Sequence, residues 1–197
     1  MSDETTEANV DPDQYRAELE AKRREKDAFF ADHPQSPIPP EEREEFSGLE
    51  YFPPDLQYRV TATVSLEPDP EADPVAMDTT AGREMRYLRV AKLVFDLERE
   101  DPDLEGGRYG LAAYSQEAAT DTLFVPFRDK TTGQGSYRGG RYMELEVDGD
   151  LEDGQALLVD FNLAYSPFCA FSETFDCPLP PEANWLEVAI PAGEKAP

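Results

Sequence analysis

The chain has 197 residues and sets 43 Asp and Glu against 18 Lys and Arg, for a net charge of -25; without the clustered cations that grip a phosphate backbone, it excludes a nucleic-acid partner. With 39% apolar and 11% aromatic residues it is too hydrophobic for a disordered acidic tail, and its length suits one domain with one core. The charge therefore belongs to a surface.

Lysine stands only at positions 22, 26, 92, 130 and 195, and the remaining basic residues are arginine. A lysine-poor, carboxylate-rich surface spread along the whole chain suits molar salt, where the screening length falls to about 3 Å. A single acidic patch for a basic partner would instead be grouped. No apolar signal segment and no run of membrane-spanning length is present, so the expected location is the cytoplasm, with no membrane partner.

Residues 1–10 read as a disordered acidic leader and 11–197 as a single β-rich domain. Asp11 is placed to cap a helix, Pro12 suits its first position and Asp13 faces the positive end of the dipole. The helix is expected over about 11–32. Its apolar residues Tyr15, Leu19, Phe29 and Phe30 are sparse around a charged middle, which predicts a surface helix anchored at its ends. A proline-rich connector follows over 33–54, with one helical turn at Glu41–Phe46.

From Gln57 the period becomes two. Tyr58, Val60, Ala62, Val64 and Leu66 share one strand face, residues 67–82 read as a loop, and Ala91, Leu93, Phe95 and Leu97 mark the next strand. Turn chemistry at Asp101–Gly107 precedes Tyr109, Leu111 and Ala113. Leu123, Val125 and Phe127 follow, with Pro126 arguing for an edge or a bulge. Met143, Leu145 and Val147, then Leu157–Tyr165 and Leu186–Ile190, bring the count to six or seven strands. Short strands without intervening helices predict a mainly β fold, an antiparallel β-barrel or sandwich with an N-terminal surface helix.

The chemistry concentrates after Phe127. Residues 133–140 hold four glycines, and Arg128, Lys130, Arg138 and Arg141 collect positive charge in an anionic chain. This pattern reads either as a pocket for a carboxylate or phosphate or as a hairpin loop paired with local carboxylates; it lacks the ending of a P-loop. Arg141 shares parity with Met143, Leu145 and Val147 and so points inward, where it needs a ligand or a partner such as Asp160. Asp160 and Asn162, two apart, share a face. Cys169 and Cys177 are too few for a disulfide framework or a zinc site, and His33, the only histidine, is remote. Both thiols are expected to be reduced and to line a pocket.

Arg128-Asp129, Tyr137, Gly140-Arg141-Tyr142, Asp160-Phe161-Asn162, Ala164-Tyr165, Cys169-Ala170, Cys177-Pro178-Leu179-Pro180-Pro181, Asn184 and Ala192-Gly193-Glu194-Lys195 resemble the family called domain of unknown function 1684, in a haloarchaeal-type form. Upstream, Phe29-Phe30, Gly48-Leu49 and Tyr51-Phe52-Pro53 look like its N-terminal half. Ser166 and Phe171 depart from the commoner asparagine and tyrosine. The resemblance implies a shared fold and no activity.

The functional expectation is a β-barrel or sandwich that binds a small anionic molecule, with Arg128, Asp129, Tyr137, Arg141, Asp160, Asn162, Tyr165 and Cys169 as candidate ligand-binding residues and no metal. In an enzyme, Asp129 or Asp160 would be the general base and Arg128 or Arg141 would stabilise negative charge. The alternative is a non-catalytic protein-interaction or structural module. No fingerprint names a cofactor, and no residue pattern fixes an oligomeric state.

Overall fold

The structure, a computed structural model, describes residues 10–67, 74–97, 107–116 and 121–197. The acidic leader through residue 9 and the turn expected from Asp101 lie outside them. Helix α1 (Pro12–Asp32) begins where its cap chemistry predicts. Asp11 Oδ1 accepts from the amides of Asp13 and Gln14 at 2.9 and 3.1 Å, satisfying two orphan donors of the first turn.

The charged middle of α1 was expected to lie between end anchors; it is itself part of the docking. Lys26 ion-pairs with Glu194, Asp27 accepts from the Leu49 amide at 2.9 Å, and the Arg23 guanidinium lies 4.3 Å from the centre of the Tyr51 ring. Phe30 is fully buried, edge-on to Phe168 and Phe171. The helical turn expected at Glu41–Phe46 is a run of tight turns, in which Glu42, Glu45 and Phe46 donate to Pro39, Glu42 and Arg43.

The strands are β1 (Arg59–Leu66), β2 (Val75–Asp78), β3 (Glu84–Leu97), β4 (Gly107–Ser115), β5 (Thr122–Phe127), β6 (Arg141–Glu146) and β7 (Ala156–Asp160). They form one antiparallel sheet in the order β6-β5-β4-β3-β1-β7, with β2 added beside β3, curled into a half-barrel. Strand β3 is 14 residues long and pairs with β1, β2 and β4. Glu84–Tyr87 pair with β2 and Ala91–Val94 with β1, and a register shift between Arg89 and Ala91 marks the bulge between the two stretches.

The alternation seen in the sequence sets the core. Ala62, Val64, Leu93, Phe95, Leu111, Ala113, Leu123, Val125, Phe127, Met143 and Leu145 are buried in one cluster. Three expectations are corrected. The stretch 67–82, expected as a loop, contains β2, whose Met77 joins Tyr87, Ala112 and Tyr114 in a second, smaller cluster. Leu186–Ile190, expected as a strand, is irregular, yet Leu186, Val188 and Ile190 complete the main core. Likewise β7 stops at Asp160, because the Asp160 carboxylate caps the turn Phe161–Leu163 through the Asn162 amide at 3.0 Å.

Pro126 was expected to mark an edge or a bulge, but β5 lies inside the sheet. Its ladder to β4 is reduced to the single pair Tyr114 and Phe124. The Asn184 side chain takes the place of the missing rungs: its Oδ1 accepts from the Ala112 amide at 2.8 Å, and its Nδ2 donates to the carbonyls of Ala112 and Pro126 at 2.9 and 2.7 Å. A proline in an interior strand is tolerated because a side-chain amide bridges the gap. Among the described residues no helix is long and apolar enough to cross a membrane.

Candidate functional site

The loop from Arg128 to Gly140 joins β5 to β6 and is held from within. The Thr131 carbonyl accepts from the amides of Gln134, Gly135 and Ser136, and Asp129 accepts from Thr131 Oγ1 at 2.8 Å and from the Ile190 amide at 2.7 Å. Gly140 has φ +92°, and a Cβ there would meet the Phe127 carbonyl oxygen at 2.7 Å. A Cβ on Gly139 would strike the Tyr137 ring. These two glycines therefore serve the loop's own packing, Gly139 by leaving room for the Tyr137 ring and Gly140 by letting the chain pass close to Phe127 and Pro180.

Arg141 points inward as its parity predicts and is only 1% exposed. Its partner is Asp129, at 3.3 Å from Nη2, and not Asp160. The reason is topological, since Arg141 opens β6 and Asp160 ends β7, the two opposite ends of the strand order. Nη2 also donates to the Ile190 carbonyl at 2.8 Å, and Nη1 donates to the carbonyls of Ala192 and Glu194. Only Nε lacks a partner. Burial pulls the guanidinium below its ordinary value and the Asp129 charge opposes that, leaving it a cation. Asp160 instead accepts from Tyr15 Oη at 2.8 Å and faces Arg59 at 3.7 Å. Asn162 binds Asp160 and ties down Asp55 through both its amide and its carbonyl.

Outside the loop lie two adjoining hollows of about 420 and 570 Å³ that share walls of Tyr137, Arg138, Cys169 and Glu173. The larger also takes in Arg128, Gly139, Thr79 and Thr80. The Arg128 guanidinium rests 5.1 Å from the Trp185 ring centre, and its buried Nε has no hydrogen-bond partner. Among the described residues neither Arg128 nor Arg138 has a carboxylate within ion-pair distance. Tyr137 Oη stands 3.9 Å from the Cys169 sulfur, and burial followed by that sulfur pushes the phenol up.

Of the eight sequence candidates, this region brings together Arg128, Tyr137 and Cys169. Asp129 and Arg141 lie inside the fold behind the loop. Asp160 and Tyr165 line a separate cleft of about 670 Å³ between β6 and β7, flanked by Tyr15, Glu18 and Lys22 of α1, and Tyr165 Oη donates to Glu144 at 3.0 Å. Asn162 is buried beside Asp160. Sequence reasoning left Arg138, Thr80 and Glu173 out of the candidate set. Arg138 was legible as one of the loop's arginines; Thr80 meets Cys177 across 97 positions and carried no local signal. Among the described residues no group of three His, Cys, Asp or Glu is placed to hold a metal ion.

Fold and site define a half-barrel protein with a buried, ion-paired arginine inside and an arginine-lined hollow outside. Residues 44–195 match the family described as "Protein of unknown function (DUF1684)", and the chain belongs to that family, as the resemblance read from the motifs implied. It is similar to an uncharacterized protein of Haloarcula marismortui known from a solution NMR structure. The two are 57% identical over 93% of this chain and 95% of that chain, with a TM-score of 0.69. No curated protein matches the chain.

Proposed function

We propose that the protein binds a small anion, a carboxylate or phosphate compound, in the hollow between the 128–140 loop and the segment 169–179. The observation that carries this reading is the pair Arg128 and Arg138, both on the larger hollow and both without a carboxylate partner among the described residues, in a chain where acidic residues outnumber basic ones 43 to 18. An arginine that merely balanced charge would have found a carboxylate here. Guanidinium forks match carboxylate and phosphate oxygens, and the hydroxyls of Thr80 and Tyr137 supply further donors on the same walls. A volume of about 570 Å³ suits a small molecule. Asp129 and Asp160, the bases expected from the sequence, lie away from the hollow and are already hydrogen-bonded; the carboxylate on its wall is Glu173.

Titrating potassium phosphate and potassium citrate into the protein in molar KCl, followed by thermal unfolding, tests the reading. A saturable rise in melting temperature is expected, with binding weakened about ten-fold or more in Arg128→Gln and in Arg138→Gln, the loss for a hydrogen bond to a charged group. No shift with either anion, or shifts in both variants as large as in the native chain, overturns it.

The fold is also proposed to work in the salt-rich cytoplasm of a halophile. A net charge of -25 repels itself unless screened, and the similar protein comes from Haloarcula marismortui. The melting temperature should fall on dilution from about 3 M to about 0.1 M KCl, over which the screening length grows to about 10 Å. A flat or rising melting temperature would refute this.

A further inference from the structure

The sheet face turned away from the main core carries an aromatic hollow that anion binding does not use. In β6, Tyr142 and Glu144 alternate with Arg141, Met143 and Leu145, so the second set turns inward and the first set turns to the opposite face. Tyr165 is laid beside them by a two-bond bridge: its amide donates to the Tyr142 carbonyl at 3.0 Å, and the Tyr142 amide donates to the Tyr165 carbonyl at 2.9 Å. The two rings meet at 5.9 Å and 84°. Phe168 and Phe175 cross at 5.3 Å and 74°. These two crossed pairs, with Phe29 of α1, line a hollow of about 520 Å³. An adjoining hollow of about 430 Å³ shares Tyr142, Glu144 and Tyr165 as walls and continues the aromatic lining through Phe124 and Tyr87, whose rings stack at 5.3 Å.

The polar groups of the larger of these hollows are few, and most are spent. Tyr142 Oη donates to the Pro178 carbonyl, and Tyr165 Oη donates to Glu144 at 3.0 Å. Lys26 is ion-paired with Glu194, and its Nζ lies 4.8 Å from the Tyr165 ring centre and 5.4 Å from that of Phe30. Glu144 differs from both. It is exposed, it is held beside the rings by the Tyr165 hydroxyl, and among the described residues no cation lies within ion-pair distance of it.

We propose that this hollow binds a quaternary ammonium compound, with the cationic head against the rings of Tyr165, Phe168 and Phe175 and beside the Glu144 carboxylate. Ring faces carry the negative end of a quadrupole and attract a cation, and Glu144 supplies a full opposite charge. A quaternary head has an apolar surface and no hydrogen to donate, so it suits walls made of ring carbon with one carboxylate. A primary ammonium has three donors to satisfy and would find too few acceptors here. An anion would be repelled by Glu144, and a neutral apolar compound would gain nothing from it. The net charge of -25 draws cations toward the surface as a whole. This site is independent of the anion hollow, since none of Arg128, Tyr137 and Arg138 lines it.

The test uses the full chain in molar KCl, with choline chloride as the probe. The comparison is its neutral isostere, the alcohol that carries a tert-butyl group in place of trimethylammonium. Each is titrated while the ring signals of the chain are followed by NMR. Choline should bind saturably and the isostere at least about ten-fold more weakly, because it fills the same space without the charge. Glu144→Gln keeps an acceptor for Tyr165 and loses the charge, and Phe175→Leu keeps an apolar side chain and loses the ring. Each should weaken choline binding by about three-fold or more. Both positions are exposed, Phe175 by 36%, and the comparison of the two probes on the native chain needs no substitution at all. No saturable choline binding, an isostere that binds as tightly as choline, or native affinity for choline in both variants overturns the proposal.

Discussion

Arg141 and Arg138 stand three positions apart at the end of one loop, and the fold treats them oppositely. Arg141 enters the core on the inward face of β6 and meets a carboxylate and three carbonyls. Arg138 faces the outer hollow and meets no carboxylate among the described residues. The inner region spends polar groups on closing the fold: Asp129 gathers the loop and the Ile190 amide, Asn184 spans β4 and β5, and Glu194 accepts from Lys26 and from the Ser166 amide. The outer region leaves its cations open. Basic residues clustered in sequence are therefore no single site; strand parity divides them between scaffold and surface.

The sharpest way to break this comparison is at its inner end. Arg141→Met strands the buried Asp129 carboxylate and removes donors from three core carbonyls, so it should cost roughly 3 to 5 kcal/mol in urea unfolding in molar KCl. The double variant Arg141→Met with Asp129→Asn should recover part of that loss, because the stranded charge is gone. If Arg141→Met costs less than about 1 kcal/mol, the guanidinium is not needed by the fold and the division between inner and outer arginines collapses.

A smaller effect is expected at Asn184. Its truncation to Ala leaves the Ala112 amide and the carbonyls of Ala112 and Pro126 without partners inside the sheet, for a loss of about 2 to 4 kcal/mol. Asn184→Asp keeps the acceptor but loses both donors and should be no better. Unfolding free energies near those of the native chain would mean that β4 and β5 close their own ladder.

Much of the inner region was legible because strands have a period of two. That period assigned the core faces of β1, β3, β5 and β6 and turned Arg141 inward before any partner was known. The partner itself was not legible, since pairing Arg141 with Asp160 would need β6 and β7 adjacent, and sheet order is a non-local outcome. Strand β2 was missed because only Met77 of its four residues is buried, too short a run for alternation to show. Of the outer hollow, the loop's arginines, Tyr137 and Cys169 announced themselves by clustering in sequence. Thr80 reaches the hollow only because segments far apart in sequence are laid side by side.

The smallest effect falls at the outer end, where a near-null result carries the argument. Arg138→Gln removes no ion pair found among the described residues, so in molar KCl it should change stability by no more than about 0.5 kcal/mol. Arg128→Gln also gives up the contact with Trp185, worth about 0.5 to 1 kcal/mol at a partly exposed site. Both variants make an already anionic chain one unit more negative, so their cost should grow as salt is diluted and like charges are less screened. An exposed ion pair would show the same direction of salt dependence, so the cost at high salt decides, since only a buried pair leaves a clear cost there. A loss of about 2 kcal/mol or more in molar KCl would reveal a buried partner for Arg138, and the outer arginines would then belong with Arg141 in the scaffold.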